Sequence, residues 1–206
     1  KRNAIGFAVS KNIAEGYKYV YTILYSGFTP DDAYDTGGWV NTNYRNTHID
    51  ELIAEGKISG LNEKWFDENG GYNIVEYPGT IDPGVFFDKD GRMWMTYGGG
   101  GGIFILELDP ETGRPLYPGE DSVTEAGNPV DRYFGTRIAA GYMKYGEGSY
   151  VIYDEETGYY YLFVSYGMIT PDGGYNIRQF RSTNPDGPYL DAKGQNAAIG
   201  PDVVTN

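Results

Sequence analysis

The chain has no cysteine, one histidine, and 16 lysines and arginines against 29 aspartates and glutamates. Without cysteine there is no disulfide, no thiolate zinc site and no cysteine nucleophile, although the compartment stays open because many exported bacterial proteins also lack it. The one histidine, His48, follows Thr47 at the start of a helical pattern and reads as a solvated first-turn residue, which all but removes a Ser-His-Asp triad. The shortage of basic residues gives a net charge of -13, a field that repels polyanions and disfavours nucleic acid and anionic membrane surfaces as partners. Neutral ligands remain. Long apolar runs are absent too: residues 103–106 fall far short of a membrane span, and Lys1-Arg2-Asn3-Ala4-Ile5-Gly6 is followed by no apolar signal core. The expectation is a soluble chain, with any signal peptide outside it.

What the chain does hold is glycine and aromatics. There are 31 glycines and 21 tyrosines, and 16% of the 206 residues are aromatic, a composition suited to many short strands joined by glycine turns. Alternation with turn signals predicts strands near 4–10, 17–25, 85–87, 92–97, 103–108, 150–153, 159–165 and 176–181, and no βαβ alternation appears. The fold class is all-β. Between residues 29 and 77 lies a polar stretch with one helical signal, in which Thr47 and Asp50 have the spacing of a capping box and Ile49, Leu52 and Ile53 line one face. This predicts a short surface helix on an insertion.

Two units of the chain repeat. Thr80-Ile81-Asp82-Pro83-Gly84-Val85-Phe86-Phe87 and Gly146-Glu147-Gly148-Ser149-Tyr150-Val151-Ile152-Tyr153 each set a carboxylate ahead of an apolar strand, about 65 residues apart. Each continues through an acidic turn ending in glycine, at residues 88–91 and 154–158, into an aromatic strand ending in Tyr-Gly. A meander repeated at this length suggests propeller blades, with a sandwich as the rival. The propeller explains what the sandwich does not: innermost strands surround one axis, so carboxylates at their starts aim at one point. The organisation expected is a single propeller domain over 1–206, cut at both ends. Residues 1–28 are outer strands of one blade, 29–80 the insertion, 81–128 and 129–190 two blades, and 191–206 a connector.

Asp82 and Glu147 are the candidate acids. A carboxylate pair can cleave a glycosidic bond, one group protonating the leaving oxygen while a second activates water or attacks directly. The alternative is that both are turn carboxylates accepting backbone N–H bonds, as is common for an aspartate before proline. Asp88, Asp90, Asp154, Glu155 and Glu156, in glycine-ended hairpins, read as solvated turn residues, and Asp109 and Asp186 as structural. The run from Gly98 to Gly102 joins strands rather than opening a helix, with no Gly-Lys-Ser/Thr after it, and reads as a flexible hairpin instead of a phosphate loop. Aromatic faces can stack on sugars. Tyr97, Tyr166 and Trp65 are candidates for that role, Trp39 is equally open, and Trp94 reads as core. No oxygen-ligand loop of calcium-binding spacing is present.

The stretches 80–91, 101–109, 146–150 and 174–178, with Phe180-Arg181-Ser182, together resemble the five-bladed propeller glycoside hydrolases of family 43, especially the arabinan endo-1,5-α-L-arabinanases. The resemblance implies three carboxylates and an inverting hydrolysis of α-1,5-linked arabinan. Glu147 matches the general acid, and Asp82 the aspartate that orients it and tunes its pKa by like-charge repulsion. The general base is expected in a first-blade motif upstream of Lys1, so this chain by itself is expected to be inactive. The last blade, where the family often has a histidine near a central metal ion such as calcium, is expected outside the chain as well, and no cofactor is expected within it. Gly98 to Gly101 stand where the family usually has a serine and an aromatic, which removes a ring for sugar stacking. The partner implied is a plant cell-wall polysaccharide, arabinan or another arabinose-containing glycan. A secreted or periplasmic, bacterial-type location is also implied. Exo-acting arabinofuranosidase or β-xylosidase activity on the same scaffold, or a non-catalytic glycan-binding propeller, are the rival functions.

Overall fold

The computed structural model describes residues 3–30, 47–140 and 146–199. Among these, three antiparallel sheets follow one another along the chain. The first pairs β1 (Asn3–Val9) with β2 (Lys18–Ser26). The second has the order β3-β4-β5-β8-β7-β6, built from Gly84–Phe87, Met93–Gly98, Ile103–Leu108, Gly135–Ala139, Pro129–Asp131 and Ser122–Val123 respectively. The third is the meander β9 (Glu147–Asp154), β10 (Tyr159–Tyr166) and β11 (Asn176–Ser182).

The middle sheet is covered on both faces, which explains the unbroken apolar run of β5. Met95, Tyr97, Phe104 and Leu106 face one core with Ile5, Leu24, Phe28 and Trp65. Trp94, Ile103 and Ile105, one residue out of phase on the same strands, face a second core with Val151, Leu162, Val164, Tyr166 and Phe180. Period-2 alternation sends neighbouring side chains to opposite faces, so a sheet packed between two others needs apolar residues at every position. Sheets stacked face to face in chain order, with a short helix in an insertion and no closure among the described residues, make part of a β-propeller.

All eight strands expected from alternation form. Three others, β6, β7 and β8, carry mixed residues such as Gly135-Thr136-Arg137-Ile138-Ala139 and give no alternation signal. β8 pairs with β5 and β7 with β8, so both strands join the sheet begun by β3.

The helix α1 (Ile49–Ala54) buries Ile49 and Leu52. Its N-cap is His48, at φ 57 and without a side-chain cap bond, one residue later than the Thr47 expected to cap it. Nor is His48 solvated: it is half-buried with its ring at the edge of Tyr25, 5.2 Å between centroids. Burial lowers its pKa, against a smaller opposing pull from Glu51.

Candidate active site

Asp82 and Glu147 lie at the starts of the inner strands of two neighbouring sheets, and the backbone holds those starts close together. Gly84 lies so near β9 that a Cβ there would stand 2.8 Å from the Ser149 carbonyl oxygen. Ser149 Oγ bonds Thr96 Oγ1 at 3.1 Å, tying β9 to β4 through a buried pair of hydroxyls. Asp82 Oδ2 accepts a hydrogen bond from the Gly148 N–H at 3.2 Å, across 66 residues of sequence. A turn carboxylate bonds the N–H groups of its own turn. Asp82 instead bonds the residue next to Glu147, which argues against the turn reading.

Each carboxylate is aimed by a local backbone device. Asp82 has φ 50, left-handed for a non-glycine residue and followed by Pro83, a conformation that costs on the order of 1–3 kcal/mol and gathers where function demands it. Glu147 is the first residue of β9 and pairs with Ser165. The register slips between Phe163 and Ser165, where Gly148 sits at φ 61. One extra residue on β9 with a left-handed glycine is a β-bulge, and bulges re-aim the side chains beside them.

On the Asp82 side, Asn3 to Gly6 and Thr80 to Pro83 wall a hollow of about 370 Å³. The hydroxyl of Tyr175, just ahead of β11, donates to Glu147 Oε1 at 2.8 Å. Glu147 as acceptor is the main reason the Tyr175 hydroxyl titrates above its ordinary value. Burial adds to this, a bond from Ser165 opposes it, and the charges of Glu147 and Asp82 both reinforce it. Tyr175 therefore feels both acids. The sequence offers no signal for this role, because a tyrosine ahead of a strand in a chain with 21 of them carries no mark of its own.

The three aromatics expected to contact sugar are core residues instead. Trp65 is fully buried, its indole N–H on Asp131 Oδ2 at 2.8 Å and its ring edge-on to Phe28. Tyr97 and Tyr166 are likewise buried, donating to the carbonyls of Phe134 at 2.6 Å and Ala140 at 3.1 Å. Both end their strands within the packed faces, so no ring face is left for a ligand. Trp39 lies outside the described residues. Trp94 is buried, with its indole on Asp88.

Asp88 departs from the solvated turn expected of it. Its carboxylate is buried and accepts from the N–H groups of Asp90 and Arg92, from Arg92 Nε and from the Trp94 indole, all at 2.8–3.0 Å. Burial pushes the Asp88 carboxyl up, but those bonds together with the Arg92 charge outweigh it and hold the pKa below the ordinary value. Asp131, which no sequence signal marked, accepts from Asn62, Trp65, Tyr133 and Phe134. There burial wins and the pKa is raised.

The glycine run is packed against its neighbours. Residues 98–102 pack beneath residues 74–81, with Gly79 N–H on the Gly99 carbonyl at 2.8 Å. A Cβ on Gly101 would collide with the Tyr77 backbone. The segment 74–81 thus occupies the space that side chains on the run would need. Among the described residues no three histidine, cysteine, aspartate or glutamate side chains group as metal ligands.

A stack of blade-like sheets with two carboxylates at the starts of neighbouring strands is a propeller architecture with a candidate pair of acids. Residues 59–200 match the family described as glycosyl hydrolases family 43, and the chain belongs to that family. Among curated relatives it is 48% identical over 183 residues to extracellular endo-alpha-(1->5)-L-arabinanase 2 of Bacillus subtilis, covering 88% of this chain and 35% of the relative. It is 38% identical over 195 residues to an extracellular endo-alpha-(1->5)-L-arabinanase of Thermotoga petrophila, covering 94% of this chain and 32% of the relative. The crystal structure of a family 43 glycoside hydrolase, the YxiA protein of Bacillus licheniformis, superposes with a TM-score of 0.65 at 36% identity, over 94% of this chain and 34% of that one. The chain spans about a third of the length of the curated relatives it matches.

Proposed function

We propose that the protein to which this chain belongs hydrolyses α-1,5-linked arabinan with inversion, Glu147 serving as general acid and Asp82 orienting and tuning it. The observation that carries the reading is the bond from Gly148 N–H to Asp82 Oδ2, which joins the two acids' backbones across neighbouring sheets. Membership of a glycosidase family and the arabinanase names of the relatives support the substrate.

In the reaction, the bond between the anomeric carbon and the leaving oxygen breaks as water attacks from the opposite face. The leaving oxygen takes the proton of Glu147, and a carboxylate base takes one from the water. That base is a third carboxylate, distinct from Asp82 and Glu147. The extracellular relatives support a secreted or periplasmic location.

The test is incubation of the full-length protein with linear α-1,5-arabinan, following product size and anomeric configuration. Oligosaccharides released as β-anomers support the reading. Release of arabinose alone would replace endo with exo action, and no release would defeat it.

A further inference from the structure

We infer that Tyr175 is a positioning residue for the acid: its hydrogen bond to Glu147 Oε1 reserves Oε2 for the proton that goes to the leaving oxygen. The inference rests on the proposed role of Glu147. Tyr175 O–H donates to Oε1 at 2.8 Å. Ser165 is the cross-strand partner of Glu147, and its Oγ stands 3.6 Å from where a Cβ on Gly148 would lie, so the acid is held at the bulge between β10 and the residue ahead of β11. The phenol directs its hydrogen at Oε1, and an oxygen that accepts this bond is the weaker site for the acid's proton.

The same contact acts on the rate. When Glu147 gives up its proton, Oε1 becomes part of a full carboxylate and the bond from Tyr175 becomes charge-assisted, roughly twice as strong as between neutral groups. An interaction that strengthens as the reaction proceeds lowers the barrier. A purely structural tyrosine, linking the approach to β11 with β9, would not distinguish substrates by how much they need protonation.

That difference is the test. The full-length protein is given a series of aryl α-1,5-arabinotriosides whose phenol leaving groups run from weakly to strongly acidic, together with arabinan. Tyr175→Phe is expected to lose roughly tenfold in kcat on arabinan and on the least acidic phenols, and to stay within about twofold of the parent on a dinitrophenyl leaving group that needs no proton. KM should be unchanged. Equal loss across the series, or none, in Tyr175→Phe overturns the inference. Glu147→Gln is the separate control. If it too shows no dependence on the leaving group, the acid assignment itself falls; if it shows a steep dependence while Tyr175→Phe does not, only the role of Tyr175 falls.

Discussion

Strands β3 and β9 each carry an acid at both ends, and the two ends use them in opposite ways. At the far ends, Asp88 and Asp154 bond the N–H groups of their own turns, within four residues of sequence. At the near ends, Asp82 bonds a residue 66 positions away, and Glu147 receives a tyrosine hydroxyl 28 positions away. An acid saturated by its own turn holds the turn and has little left to offer a ligand. An acid whose partners come from beyond its own turn keeps an open oxygen and a controlled direction, and the backbone beside it bears the strain.

Substitutions at the four positions should divide accordingly. The largest effect is expected from Glu147→Gln, a loss of about 10²–10⁴ in arabinan hydrolysis by the full-length protein, the typical range for removing a general acid. Its melting temperature should stay near the parent's. Unchanged hydrolysis would abolish the distinction between the ends.

Asp82→Asn keeps the left-handed conformation, which asparagine tolerates about as well as aspartate, and can still accept the Gly148 N–H. It removes only the charge. A fall in kcat of about tenfold or more, without loss of stability, is expected from assays alongside thermal melts.

At the far end the signs reverse. Asp88→Asn turns an amide N–H₂ toward donors that now meet no carboxylate, and should cost about 2–3 kcal/mol of stability in denaturant unfolding while leaving kcat alone. The pH dependence follows from the lowered pKa of Asp88. The folded state holds this carboxylate ionised more readily than the unfolded chain, whose aspartates titrate near 3.9. Its contribution is therefore complete above that value and lost as pH falls through the lower folded one. The variant should accordingly show a shallower loss of stability in acid than the parent. Asp154→Asn is the smallest case, since this exposed carboxylate bonds only its own turn. Its unfolding curve should overlay the parent's, and a clear shift would mean that exposure does not decide which turn acids matter.

Much of this was legible in the residues. Glycine turns and period-2 alternation gave the all-β class and eight strands, because those signals are local. The repeat exposed Asp82 and Glu147 because the same position in two meanders falls at the same place in two sheets. Residue type did not distinguish the aromatics: Trp65, Tyr97 and Tyr166 have the composition of a sugar platform and are core, since only the packing of one sheet on another decides which ring faces are covered. The turns misled in the same way. The pattern that predicts a solvated Asp88 cannot see Trp94 and Arg92 folding back over it.

The sequence by itself determined where strands begin, where chains turn and which two acids share a position, since each depends on neighbours a few residues away. Tertiary structure alone decided that Asp82 reaches Gly148, that Tyr175 meets Glu147, and that the glycine run is a packed seat under residues 74–81. Those contacts depend on the stacking of whole sheets, which is set by the shape of two apolar faces together and is written in no single stretch of the chain.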